Sequence, residues 1–168
     1  MTMPVIFPPM IVSGARPLAA SITFEFQAPS SAASEHTFSS ITFGDAVKGR
    51  NQKWAVCALE FTKALSAPGI SLTDIDVAGV AGSVIYDVTV TNPGGLRVQT
   101  IFFTARIDDI ESGDIVVTLS TSYFVSKFTV LSVVNLDCSA AYDTAAASGD
   151  STQATLRIDC PAGGGVIG

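Results

Sequence analysis

The residues of this chain that could carry out nucleophilic or acid–base chemistry are few. The 168-residue sequence contains one His, His36, in the polar segment SSAASEHTFSS. A Ser nucleophile needs a base within hydrogen-bond reach, and spacing alone does not bring Ser34 or Ser39 into that relation with His36. The pattern of this segment predicts that His36 lies exposed at the edge of a strand.

The most acidic stretch, RIDDIESGDI, is the candidate for a metal site or a pair of catalytic carboxylates. It carries Asp108, Asp109, Glu111 and Asp114. A Ca²⁺ site needs several oxygen ligands that converge on one point, and the stretch lacks the D-x-[DN]-x-[DN]-G order of a calcium loop. A glycosidase needs two carboxylates across a cleft, and no pair here stands out. We interpret the stretch as a solvated turn, and we expect no metal, no cofactor and no enzyme activity.

Residues 41–61, ITFGDAVKGRNQKWAVCALEF, combine glycines with the only local group of basic residues, Lys48, Arg50 and Lys53. Glycines bind phosphate where their N–H groups begin a helix, but the segment that follows here has the pattern of a strand. Because the chain has 15 acidic and 9 basic residues and a net charge of −6, we expect no nucleic-acid partner. The basic group is therefore interpreted as a solvated turn, and Trp54 as a core anchor.

The three cysteines leave two alternatives open. Cys57 lies within an apolar run, whereas Cys138 and Cys160 each end one. All three could be unpaired thiols, with Cys57 as a small core residue. Alternatively, Cys138 and Cys160 could form a disulfide, which would leave Cys57 for an intermolecular bond. The spacings fit no zinc pattern.

The elements that must position these residues have a period of two almost throughout. SITFEFQ alternates, and SLTDIDVAG alternates with a slip that predicts a bulge. KWAVCALEF is continuously apolar, which predicts a central strand buried on both faces. SVIYDVTVTNPGG predicts a strand closed by a turn. About ten such segments, with no convincing helical period among them, predict an all-β, antiparallel β-sandwich of jelly-roll-like type.

Both chain ends are apolar. No window reaches about 18 uninterrupted apolar residues, so we expect no membrane span, and prolines interrupt the N-terminal apolar stretch where a secretory signal would be continuous. We predict an extended docking arm over residues 1–20 and a β-sandwich domain over residues 21–168. The side chains expected to dock are Val5, Ile6, Phe7, Met10 and Ile11. The closing CPAGGGVIG has the pattern of a turn into a new strand, which either completes a sheet or leads into further chain.

Several segments together carry a resemblance to a family. ITFGDA, WAVCAL, GDIVVTLS, FTVLSVVNLD and CPAGGGVIG resemble, in that order, β-sandwich modules found in virion proteins of tailed bacteriophages and prophages. The resemblance covers roughly residues 36–168, and it is a pattern of strands and turns. It implies a structural component of a phage particle, such as a collar, neck, tail-fibre, spike or head-decoration subunit, located in the virion and assembled in the host cytoplasm.

The composition agrees with that expectation. Apolar residues make up 48% of the chain and charged residues 14%, against roughly 25% charged residues in an average soluble domain. So little charge predicts that much of the surface faces other protein. We expect a homo-oligomer, trimer or higher, that docks on other virion proteins through its arm. The alternative is a capsid-decoration or host-surface carbohydrate-binding module with a glycan as its ligand.

Overall fold

The computed structural model describes residues 22–27, 31–49, 51–91, 95–135 and 138–139, with the backbone alone for residues 22–27. The predicted docking arm and the closing CPAGGGVIG lie outside this part of the chain. Nine strands occur within it, with no helix. They are β1 Ile22–Gln27, β2 Ala33–Thr42, β3 Lys53–Ala64, β4 Leu72–Val77, β5 Val80–Ala81, β6 Ser83–Thr91, β7 Leu96–Arg106, β8 Ser112–Tyr123 and β9 Lys127–Val134. The predicted all-β class is confirmed.

The strands form two sheets in which every pair is antiparallel. The five-stranded sheet has the order β1-β9-β3-β7-β6, and the four-stranded sheet has the order β2-β8-β4-β5. The apolar run KWAVCALEF lies in β3, the middle strand of the larger sheet, as its continuous hydrophobicity predicts. It pairs with β7 on one side and with β9 on the other.

The two sheets enclose one hydrophobic core. Side chains alternate along each strand, so every second residue contributes to it. On the larger sheet the buried residues include Ala55, Cys57, Leu59, Phe61, Ile101, Phe103, Phe128 and Val130, and on the smaller sheet Phe38, Ile75, Val77, Ile115, Val117 and Leu119. The rings of Phe38 and Phe128 stack across the two sheets with centroids 3.8 Å apart. Burial of each large side chain of this kind stabilises the fold by about 1.5–3 kcal/mol.

The predicted irregularity in SLTDIDVAG is confirmed, because the register of β4 against β8 shifts between Leu72 and Asp74. A two-residue turn, Ala78–Gly79, then joins β4 to β5. Both of its residues have positive φ, 53° and 86°, as the tight hairpin turn between right-twisted strands requires. The turn packs closely on β8, since a Cβ at Gly113 would overlap the Cβ of Ala78.

Candidate functional site

The residues predicted to dock on a partner, Val5, Ile6, Phe7, Met10 and Ile11, lie outside the described residues, and so does Cys160. Cys138 is described and half-buried. Cys57 is a free thiol with no exposed surface. Desolvation by burial raises the pKa of the Cys57 thiol, which leaves it protonated and unreactive at neutral pH. Its core position is the one expected for Cys57 in the alternative in which all three cysteines are unpaired.

The prediction that His36 is exposed is wrong. The side chain is 3% exposed and packs beside Phe38, with ring centroids 6.4 Å apart. Its Nε2–H donates to the carbonyl oxygens of Tyr123 at 2.9 Å and Ala33 at 3.1 Å. His36 therefore fastens the start of β2 to the end of β8, and its Nε2 proton is already shared between backbone acceptors.

The acidic stretch divides between two structural roles. Asp108 Oδ2 accepts from Nε and Nη2 of Arg106, both at 2.8 Å, and Asp108 Oδ1 accepts from the N–H of Lys53 at 2.8 Å. The Arg106 hydrogen bond is the main reason why the pKa of Asp108 lies below its usual value. Asp114 instead accepts from the N–H of Ser40 at 2.9 Å. Within the described ranges, no three His, Cys, Asp or Glu side chains cluster in a way that could hold a metal ion.

The interpretation of Lys53 as part of a solvated turn is also wrong. Its side chain is fully buried, and Nζ donates to the carbonyl oxygens of Gly44 at 3.0 Å, Asp45 at 2.9 Å and Ile110 at 2.6 Å. These acceptors belong to the β2–β3 loop and the β7–β8 loop, so one ammonium group ties the two loops together. Desolvation lowers the pKa of Lys53, while nearby carboxylates, Glu111 foremost, oppose the shift.

A second buried lysine, Lys63, lies at the other end of β3. Its Nζ donates to Gln99 Oε1 at 2.5 Å and to the carbonyl of Pro68 at 3.1 Å. Gln99 Nε2 donates to the carbonyl of Ile70 at 2.7 Å and to both carboxylate oxygens of Asp87, at 2.9 and 3.0 Å. Desolvation lowers the pKa of Lys63, with a smaller contribution from Arg97. This network binds the β3–β4 connection to β6 and β7.

These hydrogen bonds join loops and strands that are distant in the sequence. An ammonium group has three N–H donors, and all three on Lys53 have carbonyl acceptors. Two shallow depressions of about 340 and 360 Å³ flank this end of the molecule, one along residues 106–110 and one along residues 43–47. Within the described part of the chain, every buried side-chain nitrogen and oxygen has a hydrogen-bond partner. No unsatisfied buried polar side chain therefore points at a ligand there.

The outer face of the five-stranded sheet, the side turned away from the four-stranded sheet, is the most unusual surface. Among the residues whose side chains are described, the apolar ones on this face are Trp54, Val56, Ala58, Ala64, Tyr86, Val88, Val90, Leu96, Val98, Phe102, Leu131 and Val133. Its charged residues among those described are Glu60 and Lys127, which lie opposite each other in the register of β3 and β9 at one end, and Arg106 at the other end. Trp54 is half-buried here, so its interpretation as a core anchor is wrong.

Parts of this outer face are already hidden from solvent. Val56, Thr104 and Val133 are each 2% exposed, although none of them belongs to the core between the sheets. Phe102 stacks with Tyr86 of the neighbouring strand, with ring centroids 6.2 Å apart. These three residues of the outer face are therefore as little exposed as residues of the core.

The strand at one border of this sheet, β6, pairs with β7 alone among the described residues. None of its nine residues is fully buried, and none belongs to the core. Its second backbone edge, called here the outer edge of β6, has no described strand beside it.

Comparison of the chain with known protein families, with curated proteins and with solved structures finds no match. No helix in the described ranges is long and apolar enough to span a membrane.

Proposed function

We propose that this protein is a non-enzymatic structural component of a bacteriophage virion, such as a collar, neck, tail-fibre or spike subunit. It assembles as a homo-oligomer and docks on other virion proteins through its N-terminal arm. The observation that carries the proposal is the uncharged centre of the outer face of the five-stranded sheet.

An antiparallel sheet with one face in water normally alternates apolar and polar residues. Here Val88, Phe102 and Leu131 stand where polar side chains would be expected. The accessible part of this face is smaller than the sheet itself, because Val56 and Val133 are each 2% exposed, whereas Leu96 at its border is 44% exposed. An apolar surface on the outside of a sheet is typical of protein–protein contact.

The pairing of the strands supports a jelly-roll β-sandwich. β1 pairs with β9, β2 with β8, β3 with β7 and β4 with β5. This nested set is what results when one long antiparallel ribbon folds over into two sheets, with β6 as an addition. Jelly rolls occur in viral capsid proteins and in lectins. A fold of this kind does not define a function, so the assignment to a phage particle depends on the sequence resemblance.

Because lectins also adopt jelly-roll folds, a second candidate function is a capsid-decoration or host-surface carbohydrate-binding module. The observation in its favour is the set of aromatic rings on the outer face, Trp54, Tyr86 and Phe102. Aromatic faces can stack on sugar rings, but the outer face would then have to remain open to solvent.

Light scattering of the purified full chain, over a range of concentrations and with and without reductant, tests the assembly proposal. We expect a defined oligomer, trimer or higher, that loses subunits when residues 2–20 are deleted. Ala58→Glu, which places a charge at the centre of the outer face, should also lower the mass. Thr37→Glu is the matched control, because Thr37 is exposed on the four-stranded sheet.

A monomer at every concentration would contradict self-assembly. Binding of the full chain on a glycan array, combined with a monomeric mass, would favour the carbohydrate module instead. If Ala58→Glu had the same mass in light scattering as the wild type, the outer face would no longer support the proposal.

A further inference from the structure

A primary amine and a primary amide lie in contact inside the polar network at the end of β3. Lys63 and Gln99 are each 3% exposed. They are diagonal neighbours on the inner face of the sheet, since Gln99 lies opposite Phe61 in the register of β3 and β7. Lys63 Nζ is 2.5 Å from Gln99 Oε1. Because a C=O bond is about 1.23 Å long, the carbonyl carbon Cδ lies no more than about 3.7 Å from Nζ. Atoms that are about to react are about 3–3.5 Å apart, so the amine is within reach of that carbon.

The Gln99 amide is held in a way that would assist attack on its carbon. Besides Lys63, Oε1 accepts from the N–H of Ile70 at 3.1 Å. This backbone donor faces the oxygen on which negative charge develops when the carbon is attacked. On the other side of the amide, Nε2 donates to both carboxylate oxygens of Asp87, at 2.9 and 3.0 Å. A group that can carry a proton therefore faces the nitrogen that would leave.

The surroundings of Lys63 favour its nucleophilic form. A lysine attacks a carbonyl carbon only as the neutral amine. Desolvation by burial lowers the pKa of Lys63, and the charge of Arg97 lowers it further, while Asp87 opposes the shift. The hydrogen bond from Nζ to the carbonyl of Pro68, at 3.1 Å, holds the nitrogen beside the amide.

The geometry points to an intramolecular isopeptide bond between Lys63 Nζ and Gln99 Cδ, a covalent cross-link that joins β3 to β7. After the ammonium group loses one proton to solvent, the Nζ lone pair attacks Cδ. A C–N bond forms, and the electron pair of the C=O bond moves to Oε1. The pair then returns and the Cδ–Nε2 bond breaks, while the Asp87 carboxylate transfers a proton from Nζ to Nε2. The nitrogen of the amide leaves as ammonia, so the step consumes no oxidant, reductant or second substrate.

This reaction occurs once in each chain and needs no ligand, so it suits a structural protein and does not depend on the proposed assembly. The bond joins residues that are 36 positions apart. It would restrict the unfolded chain as a disulfide does. Unlike a disulfide, it would persist in a reducing cytoplasm.

Mass spectrometry of the purified full chain tests the proposal. Loss of ammonia lowers the intact mass by about 17 Da. Trypsin should release residues 54–97 joined to residues 98–106, because a cross-linked Lys63 is no longer a cleavage site. This linked peptide distinguishes the bond from loss of ammonia elsewhere in the chain. Lys53 is the internal control, since it is equally buried but its Nζ contacts only backbone carbonyls, and trypsin should cleave after it.

Two variants test the roles of the amine and the carboxylate. Lys63→Met removes the amine and should keep the full mass. Asp87→Asn keeps an oxygen to accept from Gln99 Nε2 but cannot carry the proton. Since general acid–base catalysis contributes about 10²–10⁴-fold, its linked fraction should grow at least about 100-fold more slowly after refolding from urea. Asp74→Asn removes an exposed carboxylate of β4 and should form the bond at the wild-type rate.

A folded wild type that keeps the full mass and releases a free peptide of residues 54–63 would overturn the isopeptide bond. A loss of about 17 Da that persisted in Lys63→Met would overturn it as well. If Asp87→Asn formed the bond as fast as the wild type, the role given to Asp87 would be wrong. Circular dichroism of each variant would show whether the strands are intact, so that unfolding is not mistaken for loss of the reaction.

Discussion

Lys53 and Lys63 lie at opposite ends of the same face of β3, and both bury their ammonium groups at the margins of the hydrophobic core. Their exposures are 0% and 3%. Between them the same face carries Ala55, Cys57, Leu59 and Phe61. Each ammonium group donates hydrogen bonds to carbonyl oxygens of loop residues. The central strand is therefore joined to the loops at both ends of the molecule.

Replacement of Lys53 by Met should destabilise the protein by about 2–4 kcal/mol. The change removes the donor for three carbonyl oxygens, and a buried polar group without a partner costs about 1–3 kcal/mol. Relief of the buried charge offsets part of that loss. Urea unfolding monitored by Trp54 fluorescence would measure the change.

Lys48→Met is the matched control, since Lys48 is an exposed lysine of the same loop. It should change the free energy of unfolding by no more than about 0.5 kcal/mol. Equal effects of the two substitutions would mean that Lys53 does not hold the loops.

Gly113→Ala should destabilise the protein by about 1–3 kcal/mol, because its new methyl group would overlap the Cβ of Ala78. Ala78→Gly vacates that space and suits the positive φ of the turn, so the double variant should recover most of the loss. A thermal-denaturation double-mutant cycle would measure the coupling.

Gly69→Ala serves as the control for that cycle. A Cβ at Gly69 has no atom within 4 Å, so the substitution should be neutral or stabilise by about 0.4–1 kcal/mol. Additive effects of Gly113→Ala and Ala78→Gly would rule out the predicted contact.

Cys57 should react with a thiol reagent only when the protein unfolds. It is fully buried, and burial raises the pKa of its thiol, so the native state offers neither access nor thiolate. In a chain with Cys138→Ser and Cys160→Ser, the labelling rate with Ellman's reagent should rise with urea in step with unfolding. Rapid labelling in native buffer, or a Cys57 disulfide between subunits, would contradict its place in the core.

Stability should fall with acid partly through Asp108. Because the pKa of Asp108 is lowered from 3.8, the unfolded chain binds more protons than the native chain between the folded pKa and 3.8. Stability contributed by this group is therefore present above that window and is lost as the pH falls through it. Asp108→Asn keeps an oxygen for the N–H of Lys53 but removes the charge.

Urea unfolding at several pH values between about 5 and 2 would measure this acid dependence. Asp108→Asn and Arg106→Gln should each give a shallower decline than the wild type, and the double variant should add little. At neutral pH the loss should stay below about 1 kcal/mol, because the ion pair is partly exposed. If the stability of Asp108→Asn fell with acid as steeply as that of the wild type, Asp108 would have no part in the acid dependence.

The strands could be predicted from the sequence because hydrophobic alternation is a local signal. ITFEFQ, KWAVCALEF and SVIYDVTVT all lie in strands, and the slip in SLTDIDVAG marks a real change of register. The central place of β3 agrees with its continuous hydrophobicity, although Trp54 and Ala58 on its outer face are half-buried rather than buried.

The roles of His36, Lys53 and Lys63 could not be predicted from residue type, because polar side chains are mostly exposed. Their burial depends on carbonyl groups that distant loops supply, such as Ile110 for Lys53. One signal was present in the sequence. Lys53 and Lys63 share the odd-numbered positions of the core residues of β3, so alternation places both of them on the inner face.

The pairing of β1 with β9 determines when this protein can finish folding. The first described strand can close its hydrogen bonds only after the last described strand has left the ribosome. The same delay applies to β2, which must wait for β8. Topologies dominated by such distant partners fold slowly, typically in milliseconds to seconds, and their unpaired strands are exposed to aggregation in the meantime. Synthesis at high local concentration would therefore favour encounters between unfinished copies.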